Sequence, residues 1–309
     1  MIYKKKLTLL SGLVLVLALS YILTIIFDPE RQGAKSSAYA WITSDLLDRA
    51  DRIEIAGSQG NTVLSRKNNL WVISEGTIDY PVKQSRVGDL FRVLSMRNSF
   101  PVRSTSASAM ERLGLVEGKA SRITVRGGAG LPLLDLLVGF ADAPGSGLYL
   151  RKANQNEARS GEDVFTLYTE GSKNSWLDLR LFPGLNIGTV QRVRVNPLPG
   201  DGAAYALSRV NNGWQLSDSL LAVETSKAES WVRAIIDAEA ESFASSPDTN
   251  GFNEASITLE LGDGTIRELK VGASGEEKRR NSSITNSPFV YSLAEWAISR
   301  IFREASYWP

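Results

Sequence analysis

The chain contains no cysteine and no histidine in its 309 residues. Without cysteine no disulfide can form, so stability has to come from a packed core. Without either residue there is no thiol nucleophile, no imidazole general base and no Cys/His zinc site. Lipid attachment at a processed N-terminus needs a cysteine and is excluded too. A cysteine-free chain is compatible with an oxidising compartment. A surplus of one charge sign is also missing. Lys+Arg number 35 and Asp+Glu 34, a net of +1. Such a balance lacks the basic footprint of a nucleic-acid binder, and no nucleic-acid partner is expected. There is no G-x-x-x-x-G-K-[ST] run, so the chain is not expected to be an ATPase. There is no G-x-S-x-G either, and a serine triad is impossible without histidine.

What the chain does have is one long apolar run, Leu7 to Phe27, LTLLSGLVLVLALSYILTIIF, with no charged residue. As a helix rising about 1.5 Å per residue it reaches about 30 Å, a bilayer's hydrocarbon thickness. Lys4, Lys5 and Lys6 precede it, and Asp28-Pro29-Glu30 follows. Clustered lysines stay on the cytoplasmic side. The expectation is a single-pass anchor in a bacterial cytoplasmic (inner) membrane, N-terminus inside, with the lipid bilayer met through Leu7 to Phe27. The rest would be extracytoplasmic. A cleaved signal is the alternative. Its apolar core is usually only about 7–15 residues long, and the nearest small-x-small site, Ala38-Tyr39-Ala40, lies well beyond Phe27.

After a polar tether the chain alternates as half-buried strands do. Arg52 to Ile55, Thr62 to Arg66 and Leu70 to Ile73 read as strands, with Lys67-Asn68-Asn69 as a hairpin turn. Tyr80-Pro81 ends this extended region. Val87, Leu90, Phe91 and Leu94 then follow helical spacing. Arg122 to Val125, Leu133 to Val138, Leu148 to Arg151 and Val164 to Tyr168 read as further strands. Asn154 to Asp163 reads as a mobile loop and Trp176 to Phe182 as a helix.

The order then recurs. Leu207-Ser208-Arg209 through Trp214 echoes Leu64-Ser65-Arg66 through Trp71. A second amphipathic helix carries Ala228, Trp231, Val232, Ile235 and Ile236, with Ser226 and Glu229 as a capping box. Ser256 to Leu259 echoes Arg122 to Val125, and Leu269 to Gly272 echoes Leu136 to Gly139. Phe289 to Leu293 and Trp296 to Phe302 close the second copy as Val164 to Leu167 and Trp176 to Phe182 close the first. Drifting but ordered offsets point to an internal repeat. The resulting expectation is an α+β class: one transmembrane helix, then two related copies of an antiparallel-sheet-plus-helices module. The parts are residues 1–27 (basic tip and anchor), 28–50 (tether and short helix), 51–186 (first module) and 187–309 (second module).

Candidate chemistry is sparse. Gly127-Gly128-Ala129-Gly130 lies in a strand-to-strand turn without a following helix, which does not suit a phosphate cradle. Ser36, Ser85 and Ser226 read as tether or cap residues. Asp45, Asp48, Asp237, Glu239 and Glu241 read as solvated helix faces, and Glu276 to Arg280 as an exposed hairpin loop. Trp71 with Trp214, and Trp176 with Trp296, occupy matching positions and read as core. A sugar-stacking surface is the rival use for them. No catalytic, cofactor-binding or metal-binding residue is expected, and no cofactor.

One run is recognisable. It comprises the basic start, the apolar run, Arg52-Ile53-Glu54-Ile55, the lone Trp71 strand, Tyr80-Pro81 and the amphipathic helix. Leu113-Gly114-Leu115, Leu137-Val138-Gly139, Leu148 to Arg151 and Trp176-Leu177-Asp178-Leu179-Arg180 continue it. It resembles the uncharacterised bacterial family called domain of unknown function 4340. The resemblance implies an auxiliary component of ABC transporters of the gliding-motility class, with ABC permease and ATPase subunits as partners and no catalytic residues to carry over. The polar Asn154 to Asp163 insertion and the charged Glu276 to Arg280 loop depart from the pattern. The expected function is a non-enzymatic, membrane-anchored extracytoplasmic scaffold or regulator of an ABC-type export complex. An envelope glycan- or polymer-binding module is the alternative, and an unusual envelope hydrolase the third.

Overall fold

The computed structural model describes residue 21 and residues 38–142, 145, 147–211, 213–244 and 251–308. The chain divides into two compact units, Met1–Leu177 and Asp178–Pro309.

The first unit runs α1 (Ser44–Leu47), β1 (Ala50–Gly57), β2 (Gly60–Lys67), β3 (Leu70–Glu75), β4 (Ile78–Pro81), α2 (Gln84–Ser95), β5 (Val102–Ser104), α3 (Ala107–Arg112), β6 (Ser121–Gly127), β7 (Pro132–Ala141), β8 (Gly147–Lys152), β9 (Ala158–Glu162) and α4 (Thr166–Thr169). Its strands form one sheet in the order β4-β3-β2-β1-β6-β7-β8-β9-β5. All neighbours are antiparallel, and those that follow one another in the chain are joined by short links. Asn68 and Asn69 alone join β2 to β3, since Lys67 pairs with Leu70. Their φ angles are +49° and +63°, the left-handed pair that a two-residue primed turn demands and that Asn tolerates.

One face of this sheet is apolar. Ile53, Ile55, Leu64, Ile123, Val125, Leu136 and Leu150 are buried there, two residues apart along each strand, as the pleat requires. The opposite side of α2 is solvated, while Val87, Leu90, Val93 and Leu94 are buried. Each such side chain contributes roughly 1.5–3 kcal/mol on leaving water. Gln84 fixes the start of α2: its Nε2 donates to the Trp71 and Val82 carbonyls, both at 2.9 Å, and its Oε1 accepts from the Trp71 N–H at 3.0 Å. A second, smaller core lies around Leu137, with Met110, Leu115 and Ala158. Leu137 alternates with Leu136, so the 113–120 segment covers part of the other sheet face.

The second unit runs β10 (Val190–Asn196), β11 (Tyr205–Val210), β12 (Gly213–Leu216), β13 (Ala222–Val223), α5 (Thr225–Ile236), β14 (Ser242–Phe243), β15 (Ala255–Leu261), β16 (Ile266–Ser274), β17 (Arg279–Ile284), β18 (Val290–Ala294) and α6 (Glu295–Ile301). Its sheet has the order β13-β12-β11-β10-β15-β16-β17-β18-β14. Position for position this is the strand order of the first sheet. The central register also corresponds: Ile53 pairs with Val125, and Val193 with Leu259. Val193, Leu207, Ile257, Leu259, Leu269 and Leu293 are fully buried with α5 residues Ala228, Val232 and Ile235. Trp231 and Trp308 meet edge to face at 4.9 Å, and Trp231 donates through Nε1 to the Ile301 carbonyl at 2.8 Å.

The α+β expectation is corrected: the molecule is mostly β, built on two nine-stranded antiparallel sheets. The helices are short connections, not a layer matching the sheets. The longest described ones, α2 and α5, have 12 residues, about 18 Å of helix against the ~30 Å of a bilayer core. Among the described residues no helix is long and apolar enough to cross a membrane. The anchor expected at Leu7 to Phe27 falls, Tyr21 apart, outside the described residues. The membrane and transporter-component labels therefore gain no support from the fold.

Four local expectations are corrected as well. Val164 to Tyr168 is not a strand but a 3₁₀ turn leading into α4. Phe165, Tyr168 and Thr169 are buried while Leu167 is 61% exposed, which is helical i, i+3, i+4 spacing. The expected loop Asn154 to Asp163 contains β9, whose inward residues, Ala158 and Ser160, are too small to signal a strand. Trp176 to Phe182 is no helix. Leu177 bridges to Val82 in the first unit, and Arg180 bridges to Glu239 in the second. The capping box at Ser226 and Glu229 does not form. The α5 N-cap is Glu224, Ser226 Oγ donates to the Glu224 carboxylate, and Glu229 lies 3.6 Å from Arg209.

Candidate functional site

Both units carry clefts large enough for a small ligand; one in the first unit, of about 550 Å³, runs along Pro132 to Asp135 and Lys152 to Gln155. The cleft of the second unit, about 550 Å³, lies between the β10–β11 link, α6 and the C-terminal segment. The amphipathic pattern of α6 decides its walls. Ala297, Ile298 and Ile301 are buried, and Glu295, Ile298 and Ser299 line the cleft. The charged groups are mixed in sign, with Arg280 and Arg303 set against Asp201, Glu295 and Glu304. Glu295 accepts from Ser274 Oγ at 2.9 Å, and Glu304 from Ser306 Oγ at 3.0 Å. Arg303 stacks 5.2 Å from the Tyr307 ring centre, and Lys227 lies 4.0 Å from it. Beneath this floor Tyr205 donates to the Arg303 carbonyl at 2.7 Å. Burial pushes its phenol up to about 12, against the lowering effect of the Trp308 contact.

A further cleft of the first unit, about 560 Å³, lies where the 113–120 segment crosses the sheet beside the end of β1. Its polar wall holds Lys119, Arg122 and Arg151 against Glu117. Arg122 reaches Asp135 in a fork, its Nε 2.6 Å from Oδ1 and its Nη2 2.5 Å from Oδ2. The Asp135 hydrogen bond raises the guanidinium pKa, outweighing burial. Arg151 holds the crossing segment down. Its Nη2 donates to the Leu115 carbonyl and its Nη1 to the Gln155 carbonyl, both at 2.9 Å. On the same face of β1 and β6, beside the cleft, Glu54 pairs with Arg52 at 2.7 Å and Arg126 at 3.4 Å. Burial raises the Glu54 pKa, but those two arginines outweigh it and hold the carboxyl below its usual range.

The residues weighed in the sequence are not brought together. Asp45, Asp48, Asp237 and Glu239 are exposed, and Glu241 pairs with Arg279 at 2.6 Å. Gly127 to Gly130 forms the β6–β7 connection, with the Gly127 N–H donating to the Leu131 carbonyl at 2.8 Å. Ser85 lies in α2, and Ser36 lies outside the described residues. Trp71 and Trp214 are buried at 6% and 2%, in matching strands. Trp176 and Trp296 do not match: Trp176 is fully buried, whereas Trp296 stands 64% exposed on α6. Trp41, Trp231 and Trp308 are buried as well, so six of the seven tryptophans serve as core. Among the described residues no group of three or more Asp or Glu side chains could hold a metal ion. The signal missed in the sequence was cross-strand. Arg122 and Arg151 lie far apart in the chain and meet one row of the sheet only through pairing.

Together these features define an antiparallel β protein with two like-ordered sheets and no assembled catalytic cluster among the described residues. The chain belongs to the family described as domain of unknown function (DUF4340), whose model matches residues 71–255. A search among curated proteins gave no match.

Proposed function

We propose that the protein is a non-enzymatic scaffold or regulatory subunit of an ABC-type export complex, working on the extracytoplasmic side of a bacterial inner membrane. The observation that supports this reading is Trp296. A large aromatic 64% exposed on α6, on a helix whose other face is packed, has no core role. Exposed tryptophans of this kind are favoured anchors at protein interfaces. A sequence without cysteine or histidine agrees with a binding rather than a chemical role.

Purification of the tagged chain in mild detergent is expected to recover an ABC permease and an ATPase. Trp296→Ala is expected to lower that recovery at least several-fold without changing the melting temperature. Repeated recovery of the chain alone would contradict the reading. A reporter fused behind Pro309 and active only in the cytoplasm would contradict the placement.

A further inference from the structure

We infer that the first unit's cleft beside the end of β1 binds an oxyanion, a carboxylate or phosphate carried on a body of about sugar size. This inference is independent of the export-complex reading.

The argument begins with pairing register. Ala56 faces Arg122, Arg122 faces Leu137, and Leu137 faces Arg151, so the four form one row across β1, β6, β7 and β8. All four line the cleft. The corresponding row of the second sheet is Asn196, Ser256, Lys270 and Ser283. Both arginine positions are serine there. The same nine-strand order therefore forms without arginine at these two positions, with Lys270 as the one cation of the row.

Next comes what each cation is bound to. Lys119 is held by Glu111 at 2.9 Å and Arg122 by Asp135, neither of those carboxylates lining the cleft, so three cations there stand against the single lining carboxylate of Glu117, which acts on Arg122. Arg122 uses Nε and Nη2 for that fork, which leaves its Nη1 donors uncommitted among the described residues. Arg151 has no ion pair among the described residues. Its hydrogen bonds go to two neutral carbonyls, and its Nε is enclosed without a partner. A guanidinium partly withdrawn from water and neutralised by no carboxylate gains most from an incoming anion. Its planar donors are already oriented, so little side-chain freedom is lost on binding.

The remaining walls fix the size of the ligand. Leu137, Ala120 and Ala153 supply apolar surface, and about 560 Å³ exceeds what a bare phosphate fills. The ligand class that fits is a small organic anion with a non-polar face.

The test is calorimetric titration of the full chain with galacturonate, glucose 6-phosphate and neutral galactose. One or both anions are expected to bind, more weakly as salt rises, with galactose silent; the stronger of the two identifies the charge. Arg151→Met is expected to weaken binding roughly tenfold to a hundredfold. That variant also frees the Leu115 carbonyl, so Arg122→Gln provides a second variant that leaves the crossing segment tied. It is expected to weaken binding by about tenfold at unchanged melting temperature. No binding of either anion at about 10 mM, which as a Kd is about −2.7 kcal/mol, equal binding of galactose, or anion binding unchanged in both variants would overturn the inference.

Discussion

At the scale of single residues, backbone sign and burial set the expectations. Asn69 holds φ +63° in a two-residue loop. Asn69→Ala should cost about 1 kcal/mol, because a Cβ-bearing side chain without a local amide is strained in that region. Asn69→Gly should be neutral or slightly stabilising, and urea midpoints compare the three. Tyr205 gives a pH signature. Its folded pKa is raised to about 12 from an ordinary value of 10.0. The unfolded chain therefore releases the proton first as pH rises. The stability tied to this group is complete below pH 10 and is lost as pH climbs towards 12, on the order of 2–3 kcal/mol at most. Tyr205→Phe should flatten that part of the stability curve, measured as the difference between variant and parent in urea unfolding from pH 9 to 11.5. The variant also loses the hydrogen bond to the Arg303 carbonyl, worth about 1 kcal/mol at neutral pH.

At the scale of elements, the crossing of the 113–120 segment over β7 depends on a missing side chain. A Cβ on Gly139 would stand 2.3 Å from the Leu113 carbonyl oxygen. That carbonyl also accepts from the Phe140 N–H at 3.0 Å. Gly139→Ala should force the two apart and cost about 1–3 kcal/mol, with faster amide exchange at Phe140 as its local mark. Strong amphipathic elements were legible in the sequence for the reason that makes them stable. In α2 and α5 the buried residues repeat at helical spacing and are large. Elements with small inward residues or mixed spacing were not legible. β9 buries Ala158 and Ser160, and α4 hides a helical face inside a β-rich composition. β4 was missed because Pro81 looked like an end, whereas Pro81 pairs with Val72 on an edge strand.

At the scale of the whole molecule, each unit has its own nine-stranded sheet and its own apolar core. Residues 178–309 expressed alone should therefore fold, with a β-rich circular dichroism spectrum and a cooperative melt. A non-cooperative melt would mean that this unit cannot bury enough apolar surface by itself. The sequence by itself determined the absence of thiol and imidazole chemistry, the even charge, the two amphipathic helices and most of the strands. Composition and local periodicity are properties of the chain, and no folding is needed to read them. Tertiary structure alone decided that Trp176 is enclosed while Trp296 faces solvent, and that Arg122 and Arg151 share a row. The first outcome depends on how segments pack and the second on hydrogen-bonded strand pairing, and both exist only once the chain has folded.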